Sequence, residues 1–309
     1  MTDTTPRPDA LTVTSFAAVV VLGGINFLAV RASNLELAPF WGAGLRFSVA
    51  ALIFVAIAAA LKLEIPKGRQ LLLTATYGFF VVTLSYALMY WALVRVTAGT
   101  TTVILAMVPL ITSLLAAAQR LERLSARMLL GAAIAFAGIV WMTVGPDGLV
   151  IPLDGLLAIV VAAVVIGQSV IFGKRVSSNH PVMTNAVGMS VGAPLLLVFS
   201  TLVGERWAIP AETGTILAVG YLVLLGSVGL FIFTLLVVRR WTASATSYAF
   251  VLFPVVTMLA EAWLMGEALT VRGVLGALTV MSGVWFGAFS RSTTQTGTPS
   301  RTVAPVRAR

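Results

Sequence analysis

A chain of 309 residues that is 59% hydrophobic and only 10% charged gathers its apolar residues into runs too long for the core helices of a water-soluble domain. A formal charge of +9 would suit a nucleic-acid partner only with a basic face on a folded domain; no segment supplies one, and excess Lys and Arg are expected instead in cytoplasmic loops. With no cysteine and a single histidine, His180, neither a disulfide framework nor a histidine metal cluster is expected, and no cofactor or metal.

The first ten residues are polar and carry Asp3, Arg7 and Asp9, so the apolar run from Leu11 lacks the basic leader of a signal peptide and is expected to be a retained helix. Crossing ~30 Å of hydrocarbon takes roughly 20 helical residues. Apolar runs between charged or Gly/Pro/Asn-rich breaks predict such helices over 11–30, 40–61, 71–93, 98–118, 127–145, 153–173, 181–203, 214–238, 243–264 and 273–290. The connections are short, the longest resembling the Glu205 to Thr213 stretch, which leaves no room for a soluble catalytic domain. After Ser290 the chain is rich in Ser, Thr, Pro and Arg, and 291–309 is expected to be a disordered cytoplasmic tail, matching a short one at 1–10.

Ten spans put both termini on one side. If that side is the cytoplasm, fifteen Lys and Arg fall inside and four outside (Arg31, Arg95, Arg206 and Arg272), with Arg46 within a span; this predicts an inner-membrane protein with both termini cytoplasmic. Tryptophans 41, 91, 141, 207, 241, 263 and 285 fall near predicted helix ends, where an amphipathic ring suits the interface.

Sliding the sequence against itself by 145 residues pairs Arg95 with Arg240, Thr97 with Thr242, Thr101 with Thr246, Pro109 with Pro254, Glu122 with Glu267, Gly131 with Gly276 and Gly138 with Gly283. A weaker match at 143 sets Gly24 against Gly167 and Arg31 against Lys174. The chain therefore reads as two five-helix halves, 11–145 and 153–290. Five is odd, so the second half enters the membrane from the opposite side, and inverted halves of this kind characterise alternating-access carriers that bind solute between the halves near the midplane.

Few side chains could do that work. Arg46 is a charge at bilayer depth, which costs on the order of 2.5–3.5 kcal/mol unless it finds water or a partner; its planar fork suits a substrate carboxylate or phosphate, and a structural arginine that pins a loop carbonyl is the alternative. Glu261 is a carboxylate well inside a span, suited to carrying a proton in exchange for substrate or to reaching the interface. Tyr86 and Tyr90 share a helix face and could wall a cavity or anchor at the interface. Asn26, Gln168 and Tyr248 add polar groups that each need a partner, as substrate contacts or as interhelical glue. Pro109 and Pro254 bend their helices at matching places and are candidate gates or static kinks. Glu122 and Glu267 stand at helix boundaries as capping groups, and Gly131, Gly138, Gly276 and Gly283 as close-packing positions.

In order along the chain, Gly24-Ile25-Asn26-Phe27 and Arg31, Leu45-Arg46-Phe47, Tyr86-Ala87-Leu88 through Tyr90-Trp91-Ala92-Leu93, Pro109, Glu122, Gly131 and Gly138 resemble the EamA-type transporters of the drug/metabolite transporter superfamily. Pro254, Gly266-Glu267, Gly276 and Gly283 repeat the pattern. The resemblance covers about 11–290 and implies ten helices in two repeats and, commonly, export of amino acids or related metabolites. The expected protein is thus an all-α membrane carrier that moves a small solute outward, possible homodimer formation being left open. Its expected partners are that solute and membrane lipid. The rivals are a membrane enzyme, disfavoured by the lack of a convergent His, Asp, Ser or Cys set, a non-transporting partner or sensor, and a translocator of lipids or lipid-linked sugars, which calls for a lateral opening.

Overall fold

A computed structural model describes residues 9–121, 125–145, 148–176, 178–240, 243–266 and 268–289. Helices follow one another as α1 (Ala10–Ser33), α2 (Pro39–Ala60), α3 (Gly68–Leu93), α4 (Ala98–Ala118), α5 (Ala126–Thr143), α6 (Leu153–Arg175), α7 (Pro181–Leu202), α8 (from Thr213 to Arg240), α9 (Ala243–Leu264) and α10 (from Val271 to Phe289). Among the described residues, eight helices are long and apolar enough to cross a membrane, and the apolar stretches Ala249–Leu264 and Val271–Gly287 are shorter. The architecture is all-helical, apart from a two-stranded ribbon, Val144–Gly145 (β1) against Gly148–Leu149 (β2), between α5 and α6. That ribbon was not expected from the sequence.

The helices start where the sequence offers an acceptor. The carboxylate of Asp9 accepts from Thr12 N at 3.0 Å, Thr97 Oγ1 from Thr100 N at 3.2 Å, Ser125 Oγ from Met128 N at 3.3 Å and Thr270 Oγ1 from Gly273 N at 3.0 Å. Each satisfies one of the N–H groups that a helix start leaves without a partner. Pro39 and Pro181 open α2 and α7, where a missing N–H costs nothing.

Four departures from simple helices carry consequences. Helix α3 widens to a π turn over Phe79–Leu84, and α8 does so over Leu224–Gly229, 145 residues apart and so at matching places in the two halves. Helix α10 ends in a third π turn, Trp285–Phe289. Helix α4, predicted as one rod, breaks between Leu105 and Val108, directly before Pro109, because the proline ring cannot donate and crowds the preceding turn. Pro254 lies inside the continuous α9, so the two matched prolines behave differently.

The halves meet through small residues. A Cβ built on Gly131 would stand 2.6 Å from Gly283 O, and one built on Gly138 would stand 2.9 Å from Gly276 O. Each α5 glycine faces the repeat counterpart of the other one. The four glycines thus hold the α5 and α10 backbones in contact. Gly78 in α3 and Gly188 in α7 meet backbone to backbone in the same manner.

Candidate functional site

Arg46 projects from the second turn of α2 and is wholly buried. Its partners come from the other half: Nε donates to Ser227 Oγ at 3.0 Å and Nη2 to Gly226 O at 3.0 Å. Both acceptors belong to the α8 π turn. Such a turn shifts backbone bonding from i−4 to i−5 and leaves carbonyls to be matched from outside. Ser227 also donates to Leu222 O at 2.9 Å, five residues back, so one hydroxyl serves the turn and the guanidinium together.

The first half closes around the same charge. Nη1 of Arg46 lies 3.4 Å from Tyr90 OH. The guanidinium carbon is 4.8 Å from the Phe47 ring centre and 5.1 Å from that of Tyr86, and these two rings meet edge to face at 4.5 Å. Aromatic faces attract a guanidinium most where water is excluded. Asn26 of α1 adds its carboxamide: the side chain is 94% buried, and Oδ1 is buried without a hydrogen-bond partner. That oxygen occupies the space a Cβ at residue 226 would fill, so glycine is required there for Asn26 and Arg46 to share one pocket. An unpaired buried acceptor beside a buried cation is a ready place for a donor from a solute.

Of the residues predicted from sequence, Asn26, Arg46 and Tyr86 therefore converge. Gln168 does not join them: its Oε1 accepts from Gln119 Nε2 at 2.8 Å, an exposed pair between α6 and the end of α4. Glu261 sits at the end of α9, where Oε1 is 2.5 Å from Arg31 Nη1 and the two carboxylate oxygens accept from Ala98 N at 2.8 Å and Gly99 N at 2.7 Å. It caps the start of α4. Pro109 marks the break in α4, while α9 runs through Pro254, three residues before Thr257, whose hydroxyl donates to Gly24 O at 2.7 Å. The side chain of Tyr248, together with Glu122, Glu267 and Trp241, lies outside the described residues.

Gly226 and Ser227 escaped the sequence reading, although a Gly-Ser pair in the apolar stretch Leu222 to Leu230 is a legible signal for a helix made to approach something polar. Arg31 was counted only among the outer basic residues; its role as partner of Glu261 has no sequence signature, because the two stand 230 residues apart.

The model of the EamA-like transporter family matches residues 11–144 and again 153–288. The uncharacterized inner membrane transporter YedA of Escherichia coli (strain K12) is 30% identical over 82% of each chain, and the probable amino-acid metabolite efflux pump of Salmonella typhimurium (strain LT2) is 29% identical over 88% of this chain and 92% of its own. A solved crystal structure superposes with a TM-score of 0.65 over 89% of this chain and 95% of that one, at 16% identity, which is a likeness of fold. With two matches that together span most of its length, the chain belongs to the EamA-like transporter family.

Proposed function

We propose that this transporter exports small organic solutes, amino acids or related metabolites, by alternating access of its two halves. In this reading all ten helices cross the inner membrane, both termini are cytoplasmic, and the solute binds where Arg46, Asn26 and Tyr86 of the first half meet the Gly226–Ser227 turn of the second. The observation that carries it is a buried guanidinium shared across the two halves beside an unpaired carboxamide oxygen. When the halves part, Arg46 loses the Ser227 and Gly226 acceptors and its fork is free for a substrate carboxylate, while Asn26 offers an acceptor to the ammonium. The name of the Salmonella relative supports amino-acid metabolites as the class.

Ligand-induced thermal stabilisation against amino acids, nucleosides, sugars and organic cations tests this, since a ligand at 100 times its Kd stabilises by roughly 2.7 kcal/mol. An amino acid that raises the melting point of wild type, but not of Arg46→Ala, is the expected result; a nucleoside or sugar that stabilises both equally contradicts it. Proton coupling through Glu261 is a finer part of the proposal. Wild-type gradient dependence in Glu261→Gln liposomes would remove that part.

A second reading, translocation of a lipid-like molecule, is favoured by one feature. Two open apolar grooves, about 470 and 350 Å³, run along the seam between the halves, the first walled by Phe40, Leu88, Trp91, Phe199 and Leu202 and the second by Val55, Ala58, Met183 and Val187. Fluorescent-lipid scrambling in proteoliposomes separates this reading from amino-acid export.

A further inference from the structure

At one end of the bundle, three carboxylates cross the boundary between halves, and each accepts from two backbone N–H groups at the start of a helix of the other half. Glu205 accepts from Phe40 N at 3.1 Å and Trp41 N at 2.8 Å, at the head of α2. Glu36 answers in the opposite direction, accepting from Ala211 N at 2.7 Å and Glu212 N at 3.2 Å before α8. Glu261 holds the head of α4 through Ala98 and Gly99. Around them, Arg31 pairs with Glu261, Arg95 Nε with Asp154 at 3.0 Å, Trp41 Nε1 donates to Ala208 O at 2.7 Å, and the Trp41 and Trp207 rings stack at 4.6 Å. Every one of these contacts joins residues before 145 to residues after 152.

The opposite end is built differently. Contacts between halves there include two neutral side-chain hydrogen bonds, Asn179 Nδ2 to Thr74 Oγ1 at 2.9 Å and Gln119 to Gln168, and the Arg127 guanidinium 5.9 Å from the Phe286 ring centre. An open polar cavity of about 470 Å³, lined by Glu64, Lys67, Gln70, Asn179 and His180, lies between the halves at that end. Charge-assisted bonds are roughly twice as strong as neutral ones, and a carboxylate at a helix start also meets the positive end of the helix dipole. One end is therefore tied by three carboxylates, while the other holds an open cavity between the halves.

We propose that Glu36, Glu205 and Glu261 are the latch of a gate: they hold this end shut in the state seen here, and they release together when the opposite end closes. The proposal rests on the alternating-access reading, and with cytoplasmic termini the latched end is the outer one. A carboxylate that only capped a helix of its own half would stabilise the fold without coupling to the far end; these three each grip the other half, so their release removes ties that hold the halves together at this end.

The chain has no cysteine, so cysteine pairs can be added for spin-label distance measurements in nanodiscs without solute. Leu35→Cys with Ile209→Cys reports the latched end, both sites being more than 80% exposed, and Ile65→Cys with Ser178→Cys reports the other. In wild type the first pair should be mostly at one short distance, with a small long-distance population. In Glu205→Ala/Glu261→Ala its long-distance population should rise at least fivefold while the second pair shortens. Unchanged distances at both ends, or a lengthened first pair with an unmoved second, overturn the latch. If the double variant does not fold, Glu36→Gln, Glu205→Gln and Glu261→Gln, which keep an acceptor oxygen and lose only the charge, should each shift the populations in the same sense, and no shift in any overturns it. Because no solute is needed, a chain that opens as described but transports nothing loses the export reading and keeps the latch. One that transports with latch-insensitive distances loses the latch alone.

Discussion

A single guanidinium organises the centre of this protein, and its removal is correspondingly costly. Arg46→Met keeps the side-chain bulk but leaves Gly226 O, Ser227 and Tyr90 without their donor; each stranded group costs about 1–3 kcal/mol, so the melting point in detergent should fall sharply. Gly226→Ala tests the pocket from the other side. Its Cβ meets Asn26 Oδ1, and such overpacking costs about 1–3 kcal/mol. Adding Asn26→Ala should recover most of that loss, a coupling that a thermal-melt double-mutant cycle measures directly; an additive cycle would show that the two residues do not share the space. At the rim, hydrogen bonds from the Ala211 amide, and then from the Thr215 hydroxyl and the Glu212 amide, hold the Glu36 carboxyl below the ordinary glutamate value of 4.5, against the opposing effect of its partial burial. A lowered folded-state pKa means that the stabilisation is complete above 4.5 and fades as pH falls through the depressed value. The melting-point gap between wild type and Glu36→Gln should therefore be constant from neutral pH down to about 5 and close only under stronger acid. A gap that closes nearer neutrality would contradict the contact.

At the scale of helices, the ends show which residues tolerate a left-handed turn. Helix α2 closes with Lys62 at φ 51° and α7 with Gly204 at φ 75°, in the same motif: Leu63 N bonds Ala58 O and Lys62 N bonds Ala59 O, as Glu205 N bonds Ser200 O and Gly204 N bonds Thr201 O. A non-glycine residue pays about 1–2 kcal/mol there, so Lys62→Gly should raise the melting point and Gly204→Ala lower it. Opposite shifts from those two substitutions would rule out this account of the caps. Most helix boundaries were legible in the sequence because hydropathy and Pro/Gly/Asn breaks mark the places where a chain can leave hydrocarbon. The π turns were not, since Leu224–Gly229 reads as an ordinary apolar stretch, and the partner of its Ser227 and Gly226 O is an arginine on another helix. The break in α4 was half legible: Pro109 predicted a bend, but the same residue type at 254 leaves α9 continuous. Composition alone does not say which neighbours absorb a proline's missing bond.

For the whole molecule, the 145-residue shift that pairs Gly131 with Gly276 and Gly138 with Gly283 in sequence reappears in space as the α5–α10 contact. The architecture was legible because it is written twice along one chain. The site was legible only in part. Asn26 and Arg46 stand out as polar groups in apolar helices and do converge, whereas Gln168 and Glu261 stand out equally and serve other contacts. Polarity in a span signals that a partner exists, and which partner is decided by long-range packing that the sequence does not display. In the proposed cycle centre and rim are joined, since parting the halves would break the Arg46 bonds to α8 and the three carboxylate bonds at one end. Solute counterflow in proteoliposomes tests that most directly: preloaded unlabelled amino acid should drive uptake of the same labelled amino acid in wild type, and Arg46→Ala should abolish it. Counterflow that persists undiminished in Arg46→Ala, or none for any amino acid alongside rapid lipid scrambling, would contradict a solute path through this centre.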